Sequence, residues 1–455
     1  MDGAGTAAQT GAYAGHRVRP IAPSGGERLT QTAPGTPGGE YLRRYWHPFM
    51  LASELGGLPV AVRLLSEDLV VFRDRSGRIG LLHKQCLHRG ASLEFGIIQE
   101  RGIACCYHGW HFDIDGTILA TPAEPETSRI RHNFCQGAYP VREACGLLFA
   151  YLGPPETTPA FPYYDTFSHP EGGVLANFKM FYPCSWLQIC ENAADPIHNA
   201  YLHAISSGLQ FSAPFREPPA LDYVETPIGF LSMATRRVGD FVFIRSSDVA
   251  MPNFGQFAGG SNPATTESFF VAAYTTRWVT AIDDNNAFYI GIRHINDRNP
   301  SAALRSADPS QYGVGRMGLI GQTDDRPYDE RQREPGDYDA CVSQGAVANR
   351  RAEHLGTTDR GIVMLRRMLS RGIDAVERGE EPEIPRLYRD EEMARSYCHE
   401  LVFRVPPGSN IGDAASLGAF GRQAAEIVIA TDHLSPVERE RVASERIRGV
   451  LAGAG

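Results

Sequence analysis

Two short segments in the N-terminal half of the chain each offer one cysteine and one histidine to a metal. Cys86 and His88 have one residue between them, and Cys105 and His108 have two. Sixteen residues separate the two pairs. With so few intervening residues, both side chains of a pair can reach one metal centre from a tight loop. The pattern therefore predicts a metal centre with two thiolate and two imidazole ligands.

Zinc and a [2Fe–2S] cluster are the two candidates for this centre. Tetrahedral zinc also accepts two cysteines and two histidines, but its usual spacing keeps the cysteines together and the histidines together. Here each segment supplies one of each, as a cluster needs when one iron takes two thiolates and the other takes two imidazoles. Gly90 and Gly109 permit tight loops close to such a cluster. We interpret the four residues as ligands of a [2Fe–2S] cluster.

Three neighbouring residues could also bind a metal, but we do not expect them to do so. Cys106 is too close in sequence to His108 to serve as its partner ligand. His83 and His111 flank the two loops, and we expect both to be structural histidines that form hydrogen bonds.

A second candidate metal site lies further along the chain. Asp195 and His198 are three residues apart and share a helix face. His198 and His203 are five residues apart, which on an ideal helix places them about 140° from each other. Both can bind one metal only if the helix is distorted or ends there. The alternatives are two unrelated histidines, with Asp195 capping a helix that starts at Pro196.

Both motifs resemble those of the Rieske non-haem iron oxygenases that hydroxylate aromatic rings. Cys86-Leu-His-Arg-Gly-Ala is similar to the family's CxHRGA, and Cys105-Cys-Tyr-His-Gly-Trp-His-Phe is similar to CxYHGWxF, although the family more often has proline at position 106. The run N-x2-D-x2-H-x4-H, from Asn192 to His203, resembles the family's mononuclear iron motif. APGTPGGEYLRRYW and EHLGTTDRGIVMLRRML look like the phthalate-dioxygenase-like branch, whose oxygenase component is one large α-type polypeptide. Residues 205 to 340 match little and should hold the substrate contacts.

The resemblance implies a role for each residue of the second motif. His198 and His203 would bind a mononuclear Fe(II), since two imidazoles and a carboxylate form the facial triad of non-haem iron oxygenases. Asp195 would bridge electrons from the cluster of a neighbouring subunit, with Asn192 as a nearby residue. Three subunits would pack head to tail, with His108 of one near Asp195 of the next. A partner reductase with flavin and iron–sulfur centres would supply the electrons from a nicotinamide cofactor.

The carboxylate ligand of the iron has to come from elsewhere, because Asp195 already has a role. Asp359, at the start of a long predicted helix, is the residue that the resemblance favours. Its other interpretation is an acidic residue in the first helical turn that complements the helix dipole. Glu353 and Asp374 are the alternatives.

Apolar patterns divide the chain into an α+β arrangement. Residues 1–38 are rich in Gly, Ala, Thr and Pro and predict a flexible tail. Short strands between turn residues predict an all-β domain over 39–157, the Rieske domain of the resemblance. Residues 158–455 combine strands with helices near 187–205 and 359–378, and predict a catalytic domain. The resemblance implies an antiparallel sheet flanked by helices, a helix-grip fold like that of Bet v1.

Composition excludes several classes of function. The net charge of −9 gives no basic surface for nucleic acid. Neither a signal peptide nor an apolar run long enough to cross a membrane is visible. Nine cysteines without the rhythm of a disulfide framework fit a reducing compartment, so we expect a cytoplasmic protein.

Three functions remain open at this point. The first is hydroxylation of an aromatic ring by O2, and that ring could carry a carboxylate. The second is a monooxygenase reaction, either O- or N-dealkylation or C–H hydroxylation. The third is a non-enzymatic Rieske electron-transfer protein. An acidic substrate needs a cation, and Arg245 and Arg293, each on a predicted strand, are candidates because arginine binds carboxylates bidentately; the alternative for each is an ion-paired or surface arginine at a strand end.

Overall fold

A computed structural model describes residues 27–167, 173–206, 208, 210–295, 308–383 and 393–453. Residues 1–26, the greater part of the predicted tail, lie outside this range. Among the described residues, no helix is both long enough and apolar enough to cross a membrane.

The end of the predicted tail is ordered. Helix α1 (Glu27–Thr30) and helix α2 (Pro37–Leu42) lie in it, and Thr36 caps α2 by accepting a hydrogen bond from the backbone of Gly39. The hydroxyl of Thr32, which is fully buried, donates to the carboxylate of Asp284 at 3.0 Å. The prediction of a flexible tail up to residue 38 was therefore wrong for residues 27–38, because polar contacts to the catalytic domain fix this segment.

The N-terminal domain is built from three small antiparallel sheets, with strand orders β1-β11-β10, β2-β3-β4-β9 and β5-β6-β7-β8. The strands are β1 (Trp46–Leu51), β2 (Val60–Leu64), β3 (Glu67–Arg73), β4 (Ile79–His83), β5 (Ile97–Ile98), β6 (Ile103–Ala104), β7 (His111–Phe112), β8 (Ile118–Ala120), β9 (Ala138–Tyr139), β10 (Val141–Ala144) and β11 (Leu147–Tyr151). The first cysteine–histidine segment connects β4 to β5, and the second connects β6 to β7. The all-β prediction for this region is confirmed.

The second domain contains one large antiparallel sheet, in the order β12-β19-β18-β16-β15-β14-β13, with β22 paired to β15 and β17. Its strands are β12 (Val174–Tyr182), β13 (Ala220–Thr226), β14 (Gly229–Val238), β15 (Phe241–Ala250), β16 (Phe254–Phe257), β17 (Ser268–Phe270), β18 (Thr275–Asp283), β19 (Asn286–Ile295) and β22 (Glu400–Arg404); β20 (Tyr312–Gly313) and β21 (Arg316–Met317) form a separate hairpin. Strand β15 is buried along almost its whole length, as expected of a strand that is covered on both faces.

Helices cover this sheet, so the predicted α+β class is confirmed. The described helices after α2 are α3 (Ile130–Asn133) in the N-terminal domain, and α4 (Trp186–Ala193), α5 (His198–Tyr201), α6 (Tyr328–Arg333), α7 (Asp337–Val342), α8 (Arg360–Glu377), α9 (Ala414–Ala430) and α10 (Pro436–Gly453) in the second domain. Short 3₁₀ turns occur at Ala52–Glu54, Leu93–Phe95, Pro155–Thr157, Asp165–Phe167, Ala213–Arg216, Pro309–Gln311 and Thr357–Asp359. Helix α4 packs against β16, β18 and β19, whereas α9 packs against β13 and β14. The long predicted helix over 359–378 is α8.

Candidate metal centres and substrate pocket

The two cysteine–histidine loops have the same backbone design. The N–H of Gly90 donates to the carbonyl of Cys86 at 2.8 Å, and the N–H of Gly109 donates to the carbonyl of Cys105 at 3.0 Å. Both glycines adopt left-handed φ angles, +76° and +72°. Side chains disfavour this conformation, so glycine is what allows each loop to close tightly.

The four side chains predicted as cluster ligands lie together at the tips of these loops. Cys86 and Cys105 are buried in the domain core, each 3% exposed, whereas His88 and His108 are half-buried, with ring centroids 4.6 Å apart. The ring of Trp110 stacks on His88 at 4.5 Å. This arrangement suits a cluster with one inner iron held by thiolates and one outer iron held by imidazoles.

The chemistry of the sulfur atoms also fits a cluster. Burial, together with the neighbouring Cys105, raises the pKa of Cys86 to about 11, although the backbone N–H groups of His88 and Arg89 act in the opposite direction. The thiolate form therefore needs a cation beside it, which iron supplies. Hydrogen bonds from backbone N–H groups to sulfur are among the factors that set a cluster's potential.

Gln136, which the sequence did not single out, fixes the first loop. Its side chain is buried, and its Oε1 accepts a hydrogen bond from the N–H of Leu87 at 2.8 Å. Its Nε2 donates to the carbonyls of His83 and Gln85, both at 2.9 Å. One amide thus fixes three backbone groups of the loop. A buried glutamine far from the motif carries no sequence signal for this role.

The three neighbours that were not expected to be ligands have other environments. Cys106 is exposed, unlike the two buried cysteines of the loops. One ring nitrogen of His111 lies 2.5 Å from the carbonyl of Arg101, and His83 lies 3.5 Å from the hydroxyl of Tyr139. Both histidines thus have the hydrogen-bond partners expected of structural residues.

The backbone of the second motif explains how histidines five residues apart can meet. Helix α5 begins at His198 and passes into a π-helical turn over Leu202–Ser206, which contains His203. In a π turn the hydrogen bonds connect residues five apart, so positions five apart come onto one side of the helix. The two imidazole centroids are accordingly 5.3 Å apart. The helix distortion that the spacing required is present.

The acid that completes this cluster is Asp337, the first residue of α7. Its Oδ1 lies 3.2 Å from Nε2 of His203 and 3.7 Å from Nε2 of His198. One potential ligand atom from each residue lies within 4.8 Å of the others. Two imidazoles and one carboxylate at this separation are the donor set of a facial triad.

Asp359 does not join this cluster, so the structure corrects its placement as third ligand. Its Oδ2 accepts a hydrogen bond from the N–H of Gly356 at 2.6 Å, which caps the turn before α8. The alternative acids are also in use elsewhere. Glu353 forms an ion pair with Arg366 at 2.6 Å, and Asp374 forms one with Arg28 at 2.5 Å.

Asp337 could not be distinguished from Asp359 by local sequence. Both acids lie at the start of a helix, Asp337 as the first residue of α7 and Asp359 as the residue before α8, and each has an interpretation at a helix start that requires no metal. Only the tertiary fold brings α7 beside the π turn. Asp337 is far from His198 and His203 in sequence, so no local sequence pattern indicates that it lies beside them in the fold.

Hydrogen bonds at the other ring nitrogens leave both Nε2 atoms available to a metal. Nδ1 of His198 contacts the backbone carbonyl of Asp195, and Nδ1 of His203 lies 2.8 Å from Oε1 of Gln210. A carbonyl oxygen can only accept, so in each neutral ring Nδ1 carries the proton and Nε2 has a free lone pair. Gln210 was also missed by the sequence-based prediction.

The charges of the cluster also suit a cation. Although burial opposes ionisation, His203 and His198 hold the pKa of Asp337 far below its usual range. Burial lowers the pKa of His198, whereas at His203 the attraction of Asp337 outweighs burial and raises the pKa. An ionised carboxylate beside two imidazoles fits a divalent metal such as Fe(II).

Asp195 and Asn192 lie next to this cluster. The amide of Asn192 donates to Oδ1 of Asp337 at 3.1 Å. Oδ1 of Asp195 accepts a hydrogen bond from the N–H of Ile197 at 3.1 Å, and its other oxygen lies 3.9 Å from Nδ1 of His198. Burial raises the pKa of Asp195, and the nearby carboxylate of Asp359 adds to this effect.

A cavity of about 290 Å³ opens onto the His198–His203–Asp337 cluster. Its remaining walls are mainly aromatic, aliphatic and uncharged polar groups, among them Phe211, Phe257, Tyr274, Tyr289, Leu319 and Gln322. Two arginines, Arg245 and Arg293, are among the described residues that line it. A small apolar cavity with a few polar groups is typical of a binding site for a small organic molecule.

The two arginines differ in what they can offer a ligand. Both terminal nitrogens of Arg293 are engaged, Nη1 with the hydroxyl of Thr275 at 2.5 Å and Nη2 with the carbonyl of Met317 at 3.2 Å. Arg245 instead uses Nε, which donates to the carbonyls of Ala258 and Gly259 at 3.2 and 3.1 Å. Neither Nη of Arg245 has a hydrogen-bond partner among the described residues, and neither is enclosed.

Comparisons with known proteins identify the family of this chain. Residues 45–136 match the family described as Rieske [2Fe-2S] domain. The chain is 45% identical over 381 residues to the tert-butanol monooxygenase / tert-amyl alcohol desaturase oxygenase subunit of Aquincola tertiaricarbonis, covering 80% of each chain. The chain belongs to the Rieske non-haem iron oxygenases.

Two further comparisons support this assignment. The phenoxybenzoate dioxygenase subunit alpha of Ectopseudomonas oleovorans is 37% identical over 381 residues, which cover 78% of this chain and 86% of that protein. Among solved structures, NdmA of Pseudomonas putida CBB5 with caffeine has the same fold, with a TM-score of 0.59 at 20% identity over 77% of this chain and 96% of that one.

Family membership settles the general function of this Rieske oxygenase. It is the oxygenase component of a multicomponent system, with a [2Fe–2S] cluster and a mononuclear iron, and oxygenases of this family take their electrons from a partner protein. The non-enzymatic alternative was therefore wrong, since the relatives are named as oxygenase subunits.

Proposed function

We propose that this oxygenase hydroxylates an aromatic substrate that carries a carboxylate, and that Arg245 binds the carboxylate. The observation that carries this proposal is the pair of terminal nitrogens of Arg245. Arg245 lines the same cavity as His198, His203 and Asp337, and no described residue accepts a hydrogen bond from these two nitrogens. Two such nitrogens match the two oxygens of a carboxylate.

The surroundings of Arg245 favour an anionic ligand. Its side chain is only 8% exposed, and burial lowers its pKa, because a guanidinium charge is costly away from water. The rings of Phe211 and Phe215 lie 5.5 and 5.7 Å from the guanidinium carbon and restrict its position. A substrate carboxylate would offset the buried charge, and a charge-assisted hydrogen bond of this kind contributes about 1.5–3 kcal/mol.

The metals would be held by the residues whose donor atoms converge. Cys86, His88, Cys105 and His108 would hold the cluster, and the iron would lie between Nε2 of His198, Nε2 of His203 and Oδ1 of Asp337. When bound, the iron supplies the activation of O2. The protein contributes a fixed tautomer at each histidine, an ionised acid, and a cavity that orients the ring.

We further propose that electrons reach the iron across a subunit boundary, through Asp195. The carbonyl of Asp195 contacts Nδ1 of His198, so a residue that binds the Asp195 carboxylate lies one side chain from an iron ligand. The Asp195 side chain keeps 23% of its surface exposed, which allows an approach from outside. His108 of a neighbouring subunit in a head-to-tail trimer is the proposed partner.

A second candidate function is monooxygenation of a compact, uncharged substrate by C–H hydroxylation or dealkylation. The relative at 45% identity favours it, since its name gives an alcohol as its substrate. The hydroxyl-bearing residues of the cavity, such as Ser247, Thr275 and Tyr289, could bind an alcohol. The two functions differ in whether a negative charge on the substrate is required.

Turnover with a Rieske reductase, followed by mass spectrometry, separates the two. Benzoates and phenoxybenzoates are compared with tertiary alcohols and with methyl ethers. A diol, or a ring with one added oxygen, from the carboxylates supports the first function. Formaldehyde, or a hydroxylated alcohol, supports the second.

Arg245→Met tests the residue assignment, because it keeps the length of the side chain and removes the charge. KM for an aromatic carboxylate should rise about 10–100-fold, from the loss of one or two charge-assisted hydrogen bonds. Turnover of the matching aromatic amide should be unaffected, which controls for damage to the cavity. An equal loss for acid and amide, or none for the acid, would contradict the proposal.

A further inference from the structure

The two oxygens of Asp337 face different parts of the site. Oδ1 faces Nε2 of both histidines and accepts a hydrogen bond from the amide of Asn192 at 3.1 Å. Oδ2 accepts a hydrogen bond from Nε2 of Gln322 at 2.7 Å. The carboxylate is therefore oriented with one oxygen toward the histidines and the other toward Gln322.

The orientation of the Gln322 amide is itself fixed. The hydroxyl of Tyr182 donates to Oε1 of Gln322 at 3.1 Å, and a carboxylate can accept but not donate. Only one of the two amide orientations satisfies both partners. Gln322 and Tyr182 are 3% and 1% exposed, so both side chains are almost fully buried.

The aromatic ring of Tyr182 is also held in place. It lies 5.1 Å from the ring of Tyr338, the residue that follows Asp337. Strand β12, which carries Tyr182, is paired along its whole length with β19. Hydrogen bonds from Tyr182 to Gln322 and from Gln322 to Asp337 therefore connect a rigid strand to the acid of the triad.

We propose that Gln322, oriented by Tyr182, is a positioning residue that keeps Oδ2 of Asp337 away from the metal, so that the carboxylate binds through Oδ1 alone. This inference rests on the proposed assignment of His198, His203 and Asp337 as the iron ligands. Binding through both oxygens would require the carboxylate to turn, which breaks the bond to Gln322 and leaves a buried amide without its acceptor. One-oxygen binding leaves one more coordination position open for small molecules.

Crystal structures of the Fe(II)-loaded protein, prepared without oxygen, test this directly. In the wild type, Oδ1 should lie within bonding distance of the iron and Oδ2 should remain bonded to Gln322. In Gln322→Leu the carboxylate is free to turn, and both oxygens should bind. Tyr182→Phe removes only the hydroxyl and should give a mixture of the two arrangements.

Binding of Co(II), measured by competition with a chelator, provides a second readout. Loss of a residue that orients a metal ligand typically weakens binding about 10–100-fold, which is the effect expected for Gln322→Leu. Gln256→Leu is the matched control, since Gln256 is also a fully buried glutamine of this domain, and its amide bonds to Thr166 and Thr276 instead. It should leave Co(II) affinity unchanged.

Wild-type iron bound through both oxygens of Asp337 would overturn the inference, as would a Gln322→Leu protein with wild-type affinity and one-oxygen binding. If Gln322→Leu does not fold, the wild-type structure and Tyr182→Phe still decide. Failure of this inference alone would leave iron at the triad and hydroxylation intact. Absence of metal from the triad would overturn the proposed ligand assignment as well.

Discussion

The two candidate metal centres of this oxygenase are built in different ways. At the cluster site, two short loops carry all four donors, and each loop is closed by a glycine in the left-handed conformation. At the iron site, a π turn brings His198 and His203 together, but the acid arrives on a separate helix that begins at Asp337. Local geometry forms the first centre, whereas packing of the catalytic domain forms the second.

Because the two centres form in different ways, we expect them to respond separately to mutation. Cys86 and Cys105 belong to the core of the N-terminal domain, which a ligand substitution would disturb. The proposed iron triad instead depends on contacts between α5, the π turn and α7. Asn192 contacts Asp337 of α7, and Gln210 contacts His203 of the π turn.

The largest expected effect is the loss of the cluster in Cys86→Ser. Serine is a poor ligand for iron in a cluster, so the visible absorption of the cluster should disappear and turnover should stop. Co(II) binding at the triad should persist, because the iron site forms in the other domain. Loss of Co(II) binding in a folded Cys86→Ser protein would show that the two centres are not independent.

A smaller effect is expected for Asp195→Asn, which keeps the shape of the side chain and removes its charge. Both metals should remain bound, because Asp195 contacts His198 through its backbone carbonyl. Turnover should fall about 100-fold, the size of effect that a misplaced reaction partner can produce. The rate of cluster oxidation in a single turnover measures this effect. An unchanged rate in Asp195→Asn would contradict a role of Asp195 in electron transfer.

The iron site should also respond to pH more strongly than a simple surface site. Asp337 raises the pKa of His203 despite burial, so in the metal-free protein this histidine keeps its proton to a higher pH than usual. A metal has to displace that proton, and its affinity should therefore increase with pH, about tenfold per unit below the pKa of His203. In Asp337→Asn this dependence should move to lower pH.

Metal affinity should increase with pH, whereas the contribution of the His203–Asp337 pair to the stability of the metal-free protein should decrease with pH. The pKa of His203 is raised on folding, so its interaction with Asp337 stabilises the fold at low pH and is lost as the pH rises through the folded pKa. Thermal unfolding of the metal-free protein between pH 6 and 9 measures it. A stability contribution from this pair that grows over that range would contradict the assignment.

The smallest effect is expected at Gln136, whose amide fixes the first cluster loop. Gln136→Ala leaves one N–H and two carbonyls of the loop without their partner, a cost of about 2 kcal/mol. The thermal midpoint of the N-terminal domain should fall by about 8 °C. Calorimetry checks this, with Gln99→Ala as the control, since the amide of Gln99 makes one exposed contact. Equal thermal midpoints for the two variants would contradict the role of Gln136 in fixing the loop.

The same difference explains what the sequence could predict. Cys86, His88, Cys105 and His108 lie in two short segments, so spacing alone identified them as a group. The five-residue spacing of His198 and His203 correctly required a distorted helix. Asp337 could not be found in this way, because an acid at the start of a helix also describes Asp359. The supporting amides of Gln136, Gln210 and Gln322 have no pattern at all, since their roles exist only after folding.

The prediction for the N-terminal segment failed for a related physical reason. Small residues and prolines over residues 27–38 indicated a flexible chain, yet Thr32 and Thr36 form specific hydrogen bonds there. The contacts that order this segment are hydrogen bonds of individual polar side chains. The amino-acid composition of a segment does not indicate such contacts.

The iron content of two variants distinguishes Asp337 from Asp359 as the third ligand of the iron. Wild-type protein reconstituted with iron should contain about three irons per chain, two in the cluster and one at the triad. Asp337→Ala should contain about two, with the cluster spectrum intact, whereas Asp359→Ala should keep all three. A loss of one iron in Asp359→Ala, with none lost in Asp337→Ala, would contradict the assignment of Asp337 as the third ligand.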